Sequence, residues 1–263
     1  MFLFDFLQTP EQIQEALKKQ IATFGTTVAK YEPDKFSSAA AFSATVPLFF
    51  YTCTQSTIPQ SQIDAQVQVL NQDYAQSGVQ FVNTGRQACT GQQQTDWQNN
   101  LGTNTNINAG FSYLQRLASS LQKNAILITL GDWSGSGGLL GIAELGLSTW
   151  PVQFNDPRTL PGGSLAPYNL GRTMTHETGH NLGLYHVFDS GCSGDGDLIP
   201  DTPNGNTNYQ CPVGTDSCTS NPGKDAINNF MDYTDDCCMN IFSPRQGLAM
   251  QAEIQQSKPA WVN

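Results

Sequence analysis

The run His176-Glu177-Thr178-Gly179-His180-Asn181-Leu182-Gly183-Leu184-Tyr185-His186 holds all three histidines of a 263-residue chain. Side chains four apart on a helix lie on one face, so the imidazoles of His176 and His180 can reach a single ion. Glu177 then stands beside that ion without having to bind it. Gly183 is where the helix can stop, because glycine accepts the left-handed backbone that reverses the chain and brings His186 to the same ion from outside. A structural zinc usually closes its fourth position with Cys or His, and the run contains no such further residue. Water at an open position on zinc has its pKa lowered from about 15.7 to about 7, which supplies a nucleophile at neutral pH. The spacing therefore predicts a catalytic zinc, with Glu177 placed to take the proton of that water.

The pattern H-E-x-x-H-x-x-G-x-x-H followed downstream by a Met-turn is that of the metzincins, and Asn229-Phe230-Met231-Asp232-Tyr233 supplies the turn. Between Gly171 and Gln246 stand Gly183-Leu184-Tyr185-His186-Val187-Phe188, Cys192-Ser193-Gly194-Asp195-Gly196-Asp197, Asp201-Thr202-Pro203, Asp216-Ser217-Cys218 and Met231-Asp232-Tyr233-Thr234-Asp235-Asp236. These segments together resemble the pappalysin family, and within it the small secreted metalloproteases of fungi and bacteria. The close match covers the C-terminal third; upstream only a general pattern is shared.

The resemblance implies an α+β, metzincin-like fold. Its upper lobe, residues 41–186, would carry a twisted mixed sheet with backing and active-site helices. Its lower lobe, residues 187–263, would be loop-rich, stapled by disulfides and closed by a C-terminal helix. Residues 1–40 form an N-terminal segment of unassigned role, a candidate pro-segment remnant. The implied activity is zinc-dependent hydrolysis of peptide bonds, with Glu177 as general base and then proton donor to the leaving amine. Two other readings differ in kind: a catalytically silent, zinc-stapled binding protein, which would have no use for Glu177, and a latent protease that needs activation. Tyr233 matches the family tyrosine that stabilises the oxyanion of the tetrahedral intermediate. Met231 is expected to be an apolar floor beneath the histidines, since a thioether suits zinc poorly beside imidazoles. Asp195, Asp197, Asp201 and Thr202 offer the hard oxygens that calcium prefers. The resemblance favours Asp197, Asp201 and Thr202 as ligands of a structural Ca2+, against a solvated acidic loop.

Seven cysteines divide into Cys53 and Cys89 upstream and five after the histidine run. Disulfides and a zinc cluster are both open to Cys192, Cys211, Cys218 and Cys238, but none has the close paired spacing of a zinc ribbon. The resemblance implies the pairs Cys192–Cys218 and Cys211–Cys238. Cys53 and Cys89, each just past an expected strand, are either a third bridge or buried thiols. Cys237 is left over, and its adjacency to Cys238 leaves the partner of Cys211 open.

A formal net charge of -10 argues against nucleic acid or an anionic membrane surface as partner. No apolar run approaches the ~20 residues that span a bilayer. A monomer acting on proteins or peptides outside the cell is expected. The start, Met1-Phe2-Leu3-Phe4-Asp5-Phe6-Leu7, does not read as a signal peptide, having no basic residue and an Asp within its apolar stretch. No cysteine precedes Cys53 in the sequence, so the latency device of relatives, a propeptide cysteine that blocks the zinc, is not expected here.

Apolar residues at Ile13, Leu17 and Ile21 suggest a short helix over Thr9–Phe24. Strands are expected at 46–53, 79–83 and 125–130, and a helix over Ser61–Ser77 with Ile63, Val67 and Leu70 inward, giving a strand-helix-strand unit. Residues 139–145 read either as the edge strand that pairs with extended substrate in metzincins or as an ordinary solvent-facing edge strand. The histidine helix should begin near a capping Thr173 and run to about Leu182. The Gln- and Asn-rich stretch 92–108 reads as a surface loop. Asn204-Gly205 reads as a turn, and Ser243-Pro244 should start a last helix through Gln255.

Overall fold

The computed structural model describes residues 42–263; the helix expected at Thr9–Phe24 lies outside them. Alternation along the strands builds the centre. Val46, Leu48 and Phe50 of β1 (Ala44–Cys53) pack in one apolar cluster, while Tyr51 and Cys53 join another. Strand β2 (Val79–Ala88) pairs with β1 in parallel and outruns its expected end at Asn83. Strand β3 (Ile126–Gly131) repeats the split, with Ile126, Ile128 and Leu130 on one side and Leu127 on the other. Cover on both faces is why this strand reads as a continuous apolar run rather than an alternating one.

Two further strands complete a five-stranded sheet of order β2-β1-β3-β5-β4. Strand β4 (Gly141–Ala143) is shorter than the stretch expected at 139–145 and runs antiparallel to β5 (Val152–Asn155), which is parallel to β3. Strand β5 has no sequence counterpart in the expectations, because its four residues include Gln153 and Asn155, both fully buried.

Helix α1 (Gln60–Asp73) joins β1 to β2, stops before the expected Ser77 and is followed by a separate 3-10 turn at Ala75–Ser77. It turns Ile63, Gln66 and Leu70 inward, while Val67 is only half-buried. The stretch 92–108 is not a surface loop. It forms α2 (Gln92–Trp97), a π turn at Gln98–Gly102 and the first residues of α3 (Ile107–Leu121). Trp97 and Leu101, four residues apart, are fully buried within the polar composition, and the Trp97 Nε1–H donates to the Asp132 carbonyl at 2.9 Å. Helix α3 shows a clear apolar period through Ile107, Leu114 and Ala118 and is capped by Asn106, whose side chain accepts from Ala109 N.

Helix α4 (Arg172–Asn181) lies on the other side of the sheet, where Met174 joins the cluster of β1 and α1. Between α4 and α5 (Pro244–Ser257) the chain is held by Cys192–Cys218 and Cys211–Cys238, and Cys53–Cys89 ties the ends of β1 and β2. Cys237 is an exposed free thiol with its Sγ 3.6 Å from Cys211 Sγ. No turn forms at Asn204-Gly205; Asn206 N instead donates to Ser217 Oγ at 2.8 Å, anchoring that segment to a distant loop. Helix α5 starts at the expected Ser243-Pro244 with a reciprocal capping box between Ser243 and Gln246.

Candidate metal centre

Helix α4 is buried from Thr173 to Asn181, so its polar residues must find partners in neighbouring elements. Thr178 Oγ1 donates to Gln153 Oε1 at 3.2 Å, and Asn181 Nδ2 to the carbonyls of Glu144 and Val152 at 3.0 and 3.3 Å. Asp73 accepts from Thr175 Oγ1 at 2.6 Å and from Arg172 Nη1 at 2.7 Å. The helix does not start at a Thr173 cap. Gly171 precedes its first residue at φ 89°, and Asp236 Oδ2 accepts from Leu170 N at 2.7 Å and Arg172 N at 3.3 Å. A carboxylate from a remote loop thus does the work of a local cap.

The other end follows the expectation for Gly183. At φ 88° it turns the chain, its N–H donates to the His180 carbonyl at 2.9 Å, and Leu184 N donates to the Gly179 carbonyl at 3.0 Å. This pair of bonds is a Schellman ending. It places the Leu184 carbonyl 2.7 Å from His180 Nδ1 and carries the chain back to His186.

The three imidazoles converge through their Nε2 atoms, with separations of 3.1 Å (His176–His180), 3.0 Å (His180–His186) and 3.2 Å (His176–His186). His176 Nδ1 is 2.7 Å from the Phe230 carbonyl, so both helical histidines have Nδ1 on a carbonyl and must donate its proton there. The lone pairs are left on Nε2, facing one another. Tetrahedral zinc with Zn–N near 2.0–2.1 Å separates its nitrogens by about 3.3 Å, so this donor set fits the ion. Burial, and then the neighbouring imidazoles, hold His176 and His180 well below the ordinary histidine range, in the neutral form a metal requires. Asp189 backs the third ring, with Oδ1 3.5 Å from His186 Nδ1 and Oδ2 accepting from His186 N at 3.1 Å.

Glu177 is buried, and its removal from water pushes its carboxyl well above the usual range. Its side chain lies against Gly141 of β4, where a Cβ would come within 2.5 Å of Oε1. Tyr233 Oη stands 3.1 Å from His186 Nε2, and Phe188 stacks on that ring with planes 8° apart and also meets the Tyr233 ring, centroids 4.7 Å apart. Met231 is fully buried with Sδ under the helix, where a Cβ on Gly179 would meet it at 2.5 Å.

The acidic loop is split. Asp197 is buried, its Oδ1 accepts from Thr202 Oγ1 at 2.6 Å and Ile199 N at 3.0 Å, and its Oδ2 is buried without a hydrogen-bond partner. Asp201 is directed elsewhere, accepting from Ser243 Oγ at 2.6 Å and Arg245 N at 3.0 Å at the start of α5, and Asp195 is exposed. Asp189, Gly141, Gly179 and Asp236 went unread in the sequence. Only Asp189 had a local signal, three residues after His186.

Comparison with known proteins agrees with this geometry. Residues 148–255 match the Peptidase M43 family, described as pregnancy-associated plasma protein-A. The extracellular metalloprotease of Pyricularia oryzae is 33% identical over 260 residues, spanning 94% of this chain and 87% of the relative. The chain belongs to the M43 metalloprotease family. A second extracellular metalloprotease of that group, from Colletotrichum graminicola, is 34% identical over 240 residues, 84% of this chain and 80% of the relative. Promirolysin of Tannerella forsythia superposes with a TM-score of 0.66 at 24% identity, covering 95% of this chain and 92% of that one, which establishes the shared fold. This M43 peptidase is a zinc-dependent endopeptidase acting on protein or peptide substrates. No helix among its described residues is long and apolar enough to cross a membrane.

Proposed function

We propose that His176, His180 and His186 hold the catalytic zinc through Nε2, that Glu177 is the general base and that Tyr233 stabilises the oxyanion. The observation that carries this is the triangle of three Nε2 lone pairs with Glu177 next in chain to the first. When bound, zinc polarises the scissile carbonyl and acidifies water. Glu177, buried and shifted up, is a strong proton acceptor once ionised. It takes a proton from the attacking water, whose oxygen bonds to the carbonyl carbon, and returns it to the amine nitrogen as the C–N bond breaks. Tyr233 Oη, beside His186, donates toward the carbonyl oxygen as charge develops there. Strand β4, outermost in the sheet and adjacent to Glu177, is the edge along which an extended peptide would lie.

Asp197 and Thr202 are read as ligands of a structural calcium. The support is the buried, unpartnered Asp197 Oδ2, an oxygen that costs free energy until a cation or proton meets it. Asp201, committed to α5, is the weaker candidate. Secretion is supported by the extracellular metalloproteases this chain resembles and by three disulfides. The net charge of -10 supports a protein that avoids nucleic acid and anionic membranes.

The test is cleavage of a denatured proteome, read by mass spectrometry of new termini, with 1,10-phenanthroline and Glu177→Gln as controls. The variant should keep its zinc and lose about 10²–10⁴-fold in kcat. Near-normal cleavage by a zinc-loaded Glu177→Gln enzyme would overturn the assignment.

A further inference from the structure

Gly141 opens β4 and pairs with Asn155 across the sheet. A methyl group added there would lie 2.5 Å from Glu177 Oε1, 2.6 Å from Cγ and 2.8 Å from Cδ, where ordinary contact begins at 3.4 Å. Backbone geometry does not call for glycine at this position, because Gly141 is not among the residues with positive φ. What the position uses is the missing side chain.

We propose that Gly141 is the positioning residue of the catalytic carboxylate, its bare Cα forming the slot in which Glu177 lies. The inference rests on the reading of Glu177 as general base. Neither wall of the slot can easily retreat. Strand β4 is paired to β5 along Gly141, Ile142 and Ala143, and α4 is bound to the same sheet region through Thr178, Asn181 and the His180 carbonyl, which accepts from Gly146 N at 2.8 Å. The atoms in collision, Cγ, Cδ and Oε1, belong to a flexible side chain and not to backbone, so the relief available is rotation of Glu177 itself. The fold should then tolerate the methyl group while the carboxylate is driven from its place. A displacement of about 1 Å at a reacting group costs on the order of 10²-fold in rate.

Gly141→Ala should therefore fold, bind one zinc and unfold at a temperature close to that of the parent, with kcat down about 10²-fold and KM little changed. A crystal structure of the variant should show Glu177 rotated away from residue 141. In the Glu177→Gln background, Gly141→Ala should cause no further loss, since the group it displaces is already disabled. Paired with the shorter Glu177→Asp, it should cost no more than Glu177→Asp alone. The proposal is overturned by unchanged kcat in Gly141→Ala, by a loss of equal size in the Gln background, by a rise in KM that accounts for the defect, or by failure to fold both with Glu177 and with Asp at 177. The reading on which it rests fails separately, if Glu177→Gln alone remains active.

Discussion

Asp189→Ala isolates the hold on one proposed zinc ligand, His186, without touching that residue. His176 and His180 are steadied by the carbonyls of Phe230 and Leu184, both at 2.7 Å, which no substitution removes. His186 relies on a side chain. Asp189 Oδ1 is 3.5 Å from its Nδ1 and Oδ2 accepts from its backbone N at 3.1 Å. Loss of an outer partner of a metal-bound histidine typically weakens metal binding 10–100-fold, or about 1.4–2.8 kcal/mol. The 3.5 Å separation exceeds a good hydrogen bond and the Asp189 side chain is 18% exposed, so the ring contact falls at the lower end of that range. The backbone bond adds its own contribution by fixing the turn. The expectation is zinc binding weaker by about tenfold or somewhat more, with kcat at saturating zinc within a few-fold of the parent. Asp189→Asn, which keeps an acceptor for His186 N, should fall between. Zinc dissociation constants measured by chelator competition, with kcat at saturating zinc, decide the matter. Unchanged affinity in Asp189→Ala would refute the reasoning, as would a collapse of kcat that added zinc does not restore.

Two further outcomes concern buried carboxylates. Burial pushes Asp236 up to about 6 against the opposing bonds from Leu170 and Arg172. Its folded value thus lies above the unfolded one near 3.9, and its contribution is full below about pH 4 and lost as pH rises through 6. Urea unfolding of Asp236→Asn and parent should show the variant gaining relative stability from pH 4 to pH 7, by up to about 3 kcal/mol; a constant difference, or one of opposite sign, contradicts this. Asp197 is pushed up to about 7, chiefly by burial, so calcium must displace its proton. The rise in melting temperature on adding calcium should grow as pH passes through 7 and vanish in Asp197→Asn, and a pH-independent rise, or one that survives the substitution, would exclude Asp197 as a ligand.

The elements read most directly were those whose signal is local and periodic. Strand β1, the core of α1 and the capped start of α5 follow from alternation, helical spacing and the Ser243-Pro244 pair. Helix α2 and the π turn after it were hidden because Gln and Asn dominate the stretch 92–108, although Trp97 and Leu101 are four apart. Strand β5 was hidden because tertiary burial admits Gln153 and Asn155 once they bond to each other, at 2.8 Å. The start of α4 was misread as Thr173 because its actual acceptor, Asp236, is 64 residues from Arg172.

By itself, the sequence determined the histidine triangle and its turn, since spacing of four on a helix and a glycine that reverses the chain act over a single local segment. Only the tertiary structure decided what stands around it. Tyr233 reaches His186 across 47 residues, the Phe230 carbonyl reaches His176 across 54, and Gly141 meets Glu177 from a different strand. Those contacts depend on how sheet, helix and cross-linked loop pack together, and no short-range spacing encodes that packing.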